Sequence, residues 1–313
     1  MRPVLSVGLV LIILAVPFSS VKAAQIEDGR FPLKSQERVR ESLVGRLLAG
    51  GFEPGFVRSI FYDKRWELSL LVLRKNLVYR ESKANYAHFL NTYSTALARD
   101  FLEENRAFLE KTEKDYGVEK EVIVAILLVE SSFGRHVEKY RVVNTLSTLS
   151  QADHPEVLRL AVNRLSRLYP DLTPDYLRHR ARSKSRWAFA ELKALLEIGE
   201  RENLDVLEVK GSWAGAFGLP QFIPTSYLAY GVDGDGNNRV RLGDREDAIA
   251  SVANYLKAHG WRPGLGMSRK MEILFRYNRS RLYGETVLGC ARKLRKHRTS
   301  SGEPLIRAVQ DGG

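Results

Sequence analysis

The stretch Glu121-Val-Ile-Val-Ala-Ile-Leu-Leu-Val-Glu130 decides the fold class. From Val122 to Val129 every residue is apolar, and acids close the run at both ends. A helix that is apolar on all sides must be wrapped by other helices, so this one predicts the centre of a mainly α protein. Glu130 shares a face with Ile126 and Ile123, four and seven residues earlier. A carboxyl among branched aliphatics loses hydration, which disfavours its charged form and raises its pKa. Such an acid can hold a proton near neutral pH and pass it to a leaving group. The other reading of the same residues is a structural acid, satisfied by Arg135 or by a backbone group.

Around this segment the pattern stays helical. Apolar periodicity predicts helices near 35–49, 54–61, 66–74, 84–116, 119–131, 155–168, 174–180, 186–200, 246–259 and 270–295. Thr173-Pro174-Asp175 supplies a cap followed by proline in the first turn. Asp244 with Asp247 predicts a capping box. Gly260 stands where a left-handed stop is expected. One short strand is expected at Arg239–Leu242, after a glycine-rich turn. With no internal repeat and no low-complexity linker, residues 24–300 are expected to form one helical unit with a cleft. The extra helical stretch near 150–185 carries Arg178, Arg180, Arg182, Lys184 and Arg186. Residues 301–313 are expected to be a tail.

Two further segments carry chemistry. Residues 211–227 read Gly-Ser-Trp-Ala-Gly-Ala-Phe-Gly-Leu-Pro-Gln-Phe-Ile-Pro-Thr-Ser-Tyr. Trp213, Phe217, Phe222 and Tyr227 offer flat apolar faces, and Ser212 and Gln221 offer hydrogen bonds. That combination suits sugar rings, and it equally suits a tightly packed core turn. Residues 233–247 read Asp-Gly-Asp-Gly-Asn-Asn-Arg-Val-Arg-Leu-Gly-Asp-Arg-Glu-Asp. Asp233, Asp235 and Asn237 take positions 1, 3 and 5 of an EF-hand-like loop, with the Arg239 carbonyl at position 7. Asn238 replaces the glycine of position 6, and Asp244 replaces the glutamate of position 12. Asp247 is the alternative closing ligand. The expectation is a structural calcium ion; the other reading is an Asx-rich turn held by its own side chains.

Composition narrows the setting. The chain has 313 residues, of which 44% are hydrophobic and 27% charged, so it can bury a core and is not a disordered polymer. A single cysteine, Cys290, excludes an internal disulfide framework and a zinc cage of several thiolates. It is expected to be a buried thiol. No apolar run reaches the roughly 18–20 residues of a spanning helix. Residues 1–23 read as a secretory signal: Arg2, the apolar stretch Val4–Phe18, then Val21 and Ala23 before the cut. The expected location is therefore outside the cytoplasm, in soluble form, since no cysteine near the cut offers a lipid attachment. The net charge of +12 suits anionic partners such as cell-wall polymer. The absence of an aromatic-interleaved basic stripe argues against nucleic acid.

Taken together, these segments resemble the lytic murein transglycosylase B family, enzymes that cleave peptidoglycan glycan strands. The matching stretches are Val129-Glu-Ser-Ser-Phe-Gly-Arg135, Lys139-Tyr-Arg-Val142, Gly211-Ser-Trp-Ala-Gly-Ala216 running on to Gln221-Phe222, Asp247 through Trp261, and Tyr277-Asn278 with Tyr283. The resemblance spans roughly residues 80–295. It implies a lysozyme-like helical core with additional helical subdomains around a long substrate groove, in a periplasmic protein. No residue pattern sets the oligomeric state, and a monomer is the expectation. The resemblance implies Glu130 as the catalytic acid and Ser212, Gln221, Tyr255, Tyr277, Asn278 and Tyr283 as substrate-binding residues. It implies calcium on Asp233, Asp235, Asn237, the Arg239 carbonyl and Asp247, and no catalytic cofactor.

The resemblance also implies a reaction with one carboxylate. Glu130 protonates the oxygen leaving toward N-acetylglucosamine, while the N-acetyl group of N-acetylmuramic acid stabilises the charge at C1. Glu130 then takes the proton of the C6 hydroxyl, which attacks C1 and closes a 1,6-anhydro ring. The rival expectations are a hydrolytic muramidase, which needs a second carboxylate or a held water, and a non-catalytic peptidoglycan-binding scaffold.

Overall fold

The computed structural model describes residue 31 and residues 33–79, 86–135 and 139–300. The expected signal at 1–23 and the tail at 301–313 lie outside the described residues. The order of elements is α1 (Leu33–Ala49), α2 (Pro54–Phe61), α3 (Leu70–Val78), a 3-10 turn (Ala87–Leu90), α4 (Thr92–Glu104), α5 (Arg106–Tyr116), α6 (Lys120–Ser131), β1 (Tyr140–Arg141), α7 (Val142–Ser150), α8 (Pro155–Leu168), α9 (Pro174–Glu202), β2 (Lys210–Gly211), α10 (Pro224–Tyr230), α11 (Arg245–Ala258), α12 (Met267–Tyr277) and α13 (Arg281–Ser300). The fold is mainly α, as expected. Among the described residues the only sheet is the antiparallel ribbon in which Tyr140 faces Gly211.

The apolar run Val122–Val129 lies in α6, and every residue of that helix is buried. Helices α4, α5, α11 and α13 pack around it, and α12 joins the same core through Ile273, Leu274 and Tyr277. Burial of each large aliphatic side chain contributes about 1.5–3 kcal/mol. That is enough to hold one carboxyl at the helix end in an unfavourable place. A second core joins α1, α2 and α3 to α7, α8 and α9. Phe217 packs against both cores, so the segment 211–222 lies at their junction.

Several helix signals act as expected. The Thr173 hydroxyl accepts from the Tyr176 amide 3.2 Å away, with Pro174 opening α9. Gly260 has φ +93° directly after α11. Other boundaries differ. The region 84–116 breaks into the 3-10 turn, α4 and α5, because Asn91 and Asn105 stop one helix and start the next. The stretches 174–180 and 186–200 are one continuous helix, α9. The 270–295 stretch is two helices that meet at Asn278–Ser280, and the 66–74 helix starts only at Leu70, capped by Ser69. Asp244 does precede α11, but its side chain makes no cap bond, and Asp247 turns instead to Gly234 and Arg241. That also removes the strand expected at Arg239–Leu242. The Arg241 amide goes to Asp247, the Val240 carbonyl to the Tyr227 hydroxyl and the Leu242 carbonyl to the Leu219 amide.

The basic stretch near 150–185 is part of the second core. Val157, Ala161, Leu165, Leu177 and Ala181 are buried there, and Arg180 donates to the carbonyls of Asn76 and Tyr79 at the end of α3. Cys290 is buried as expected, its thiol set against the Phe89 carbonyl and pushed up to about 12 by that burial.

Candidate active site

The end of α6 is strained. Ser132, Phe133 and Gly134 follow Glu130 and Ser131 with φ of 49°, 59° and 80°. Two consecutive non-glycine residues in the left-handed region are uncommon, and each costs on the order of 1–3 kcal/mol unless its surroundings hold it. Here they are held. Phe133 stacks on Phe101 with centroids 4.1 Å apart. The Ser131 hydroxyl donates to the Leu219 carbonyl at 2.8 Å and accepts from the Gly134 amide. A side chain at Gly134 would come within 2.9 Å of Leu219.

Glu130 is 4% exposed. The phenols of Tyr277 and Tyr283 are pushed well above their ordinary range, first by burial and next by the Glu130 charge. Residues from the far end of the chain therefore meet the acid of α6. The two tyrosine rings lie parallel, 6.1 Å apart, and Tyr255 meets Tyr277 edge-on at 4.7 Å. Sequence reasoning placed Tyr255, Tyr277 and Tyr283 along a groove. All three are buried in the main core, and the Tyr277 hydroxyl donates to the Pro220 carbonyl at 2.8 Å. Asn278, at the end of α12, is buried beside them.

The glycine-rich segment supplies the facing wall. Gly211 must be glycine, since a β-carbon there would stand 2.2 Å from the Ala216 carbonyl oxygen. The Ser212 hydroxyl accepts from the amides of Ala214 and Ala216, which folds the turn. Phe217 and Phe222 pair through both backbone hydrogen bonds. Between them Gln221 stands at φ +50°, its amide and side chain both donating to the Gly218 carbonyl. Ser131 and Tyr277 fix Leu219 and Pro220, so Gln221 is tied to the Glu130 neighbourhood. Ser212 and Gln221 are both buried. Ser131 was not singled out from the sequence. Its position next to the acid was the available signal.

The cation loop is folded as an EF-hand-like turn. Carboxylate oxygens of Asp233, Asp235 and Asp247 lie within 4.8 Å of one another. Asp244, at position 12, is outside that group, and Asp247 closes the loop. Asn238 takes the left-handed conformation of a position-6 glycine, with φ +64°. Asp233 accepts from the amides of Gly236, Asn237 and Asn238, Asn237 donates to Asp235, and the Arg239 amide donates to Asn237. A carboxylate has about four acceptor sites, so these turns leave oxygen lone pairs for a hard cation. Asp247 is 0% exposed, and burial, with the Asp235 charge behind it, pushes its carboxyl up. Three acids this close, one of them fully buried, fit an ion of calcium type.

Comparison with known proteins places these features in a family. The model of the Transglycosylase SLT domain matches residues 35–274. Membrane-bound lytic murein transglycosylase B of Escherichia coli is 35% identical over 191 residues, which cover 61% of this chain and 42% of that protein. The chain thus matches less than half the length of this curated relative. The crystal structure of soluble lytic transglycosylase SltB1 from Pseudomonas aeruginosa superposes with a TM-score of 0.68 at 25% identity, over 84% of this chain and 99% of that one. The Escherichia coli lytic transglycosylase Slt35 in complex with calcium gives 0.65 at 23% identity, over 83% and 94%.

Proposed function

Because the chain belongs to the Transglycosylase SLT domain family, we propose that it is a lytic transglycosylase acting on peptidoglycan at the bond between N-acetylmuramic acid and N-acetylglucosamine. The observation that carries this reading is the buried Glu130 at the strained end of α6, held against Tyr277 and Tyr283 and facing the Gln221 turn.

Glu130 gives its proton to the glycosidic oxygen as the C1–O bond breaks. The N-acetyl group on C2 of the muramic residue shields the developing charge at C1. The Glu130 carboxylate then removes the C6 hydroxyl proton, and that oxygen bonds to C1. The proton lost in the first half returns in the second, so no water is consumed and no second carboxylate is required. Ser212, Gln221 and Asn278 orient the sugar's polar groups. Tyr277 and Tyr283 beside the acid, and Tyr255 packed on Phe222, hold the acid and the turn in register. Export through residues 1–23 would bring the protein to its polymer, and its basic charge favours an anionic wall. No helix among the described residues is long and apolar enough to cross a membrane.

The test is mass spectrometry of purified peptidoglycan digested with the protein. The expected products carry 1,6-anhydromuramic ends. Products heavier by one water would instead identify a hydrolase.

Calcium is proposed on Asp233, Asp235 and Asp247, with Asn237 and the Arg239 carbonyl completing the set. Bound there, the ion offsets the repulsion among the three acids and so stabilises the fold. Saturation at about 100 times the dissociation constant contributes about 2.7 kcal/mol. For a protein of this size that is a rise in Tm of about 4 °C. Melting the chelated protein with and without calcium measures it, and Asp247→Asn is expected to remove most of the increment. A Tm indifferent to calcium would eliminate this site.

A further inference from the structure

We infer that Glu191 is a positioning residue that clamps the chain just after the Gln221 turn, as Ser131 and Tyr277 hold the chain just before it, an inference resting on the role given to Gln221 above. Glu191 lies on α9, 4% exposed, on a face shared with Ala188, Ala194 and Leu195. A carboxylate in such a place is costly unless its oxygens are bonded. Both are. Oε2 accepts from the Thr225 amide at 3.0 Å, and Oε1 accepts from the Thr225 hydroxyl at 2.9 Å.

The partner explains the burial. Thr225 stands in the first turn of α10, where backbone amides have no partner within the helix. Ile223, the residue before α10, supplies no capping side chain. Glu191 provides the cap from 34 residues away. Burial pushes its carboxyl up and the two Thr225 bonds pull it back.

The consequence for the site runs through a short, stiff piece of chain. Pro224 fixes the backbone between Thr225 and Ile223, and Phe222 is locked to Phe217. On the other side Ser131 holds Leu219 and Tyr277 holds Pro220. Gln221 is thus suspended between two anchors, one built from the acid's own helix and the other from Glu191. Losing the second anchor leaves the left-handed Gln221 held on one side only. A displacement of about 1 Å in a substrate-orienting group can cost 10²-fold in rate.

The experiment compares wild type, Glu191→Ala, Glu191→Gln and Thr225→Val on soluble glycan strands, with amide hydrogen exchange on each protein. Glu191→Ala is expected to lower kcat about tenfold or more with KM changed less than threefold, and to speed exchange at Phe222 and Thr225 while Ile123–Leu128 stay protected. In Glu191→Gln the side-chain oxygen still accepts from the Thr225 amide and its NH2 can donate to the Thr225 hydroxyl, so kcat is expected within about threefold of wild type. Thr225→Val, which keeps the backbone bond, is expected to fall between the two, and it serves if the alanine variant does not fold. A lowered Tm with kcat per folded molecule unchanged would make Glu191 a structural cap and overturn the inference. So would unaltered exchange at Phe222 and Thr225. A wild type that yields no anhydro ends, with exchange loosened as described, would overturn the lytic reading and the catalytic half of this inference while leaving the clamp.

Discussion

Glu130→Gln is expected to lower turnover by about 10²–10⁴-fold, the range for losing a general acid, while the melting temperature stays within a few degrees. The amide has nearly the shape of the acid, so the wall formed by Tyr277 and Tyr283 keeps its packing. It is neutral, so it is no harder to bury than the carboxyl it replaces. It can neither give a proton to the glycosidic oxygen nor accept one from the C6 hydroxyl, so both halves of the reaction fail together. Glu119 and Glu121, near the other end of the same helix, show how a structural acid is treated. Glu119 is bonded to Lys270 and to the Trp261 indole, and Arg295 stands 3.5 Å from Glu121. Glu130 faces phenols and the strained turn. Mass spectrometry of the muropeptides, with a melting curve of the same sample, measures the prediction. Turnover within tenfold of wild type would assign the proton to another group and remove the central residue of the mechanism.

Much of this arrangement was legible in the order of residues, for reasons that differ by segment. The central helix was visible because an unbroken apolar run has no other stable disposition. The start of α9 at Pro174 and the stop at Gly260 use local chemistry that acts the same way in most contexts. Helix α7 was not legible. Its Asn144, Ser147 and Thr148 are polar, yet buried, because their side chains bond to Arg65, Trp66 and Ser69 from other parts of the chain. No periodicity of apolar residues announces such a helix. Long-range pairing also hid Glu191, whose only sign was one acid among apolar neighbours on α9. The resemblance grouped Tyr277 and Tyr283 with Glu130, and how deeply they are buried depends on how α12 and α13 close the main core, which sequence position does not show. In the cation loop the spacing of Asp233 and Asp235 was informative, and the choice between Asp244 and Asp247 as the closing acid was left to the turn into α11.

Gly218→Ala tests whether the Gln221 turn and the cation loop are mechanically one piece. Gly218 stands at φ +73°, and a β-carbon there would lie 2.3 Å from the Leu242 β-carbon and 2.8 Å from its carbonyl oxygen. The neighbour cannot yield cheaply, because the Leu242 carbonyl accepts from the Leu219 amide at 2.7 Å and Asp244, two residues on, begins α11. Two costs therefore add. Left-handed backbone in a residue with a side chain costs about 1–2 kcal/mol, and forcing a methyl into packed backbone costs about 1–3 kcal/mol. The sum, about 2–5 kcal/mol, corresponds to a fall in Tm of about 3–8 °C for a protein of this size. Gly236 separates the two contributions, since it has φ +76° and nothing within 4 Å of an added β-carbon. Gly236→Ala is expected to lose only the conformational part, about 1–2 kcal/mol. Calorimetry of both variants reads the difference directly. Equal losses would mean that Leu242 moves aside freely and that the turn and the loop are independent. A larger loss at Gly218 means that any shift of the loop bearing Asp233, Asp235 and Asp247 reaches Gln221 through Leu242, so an ion in that loop would steady the wall opposite Glu130.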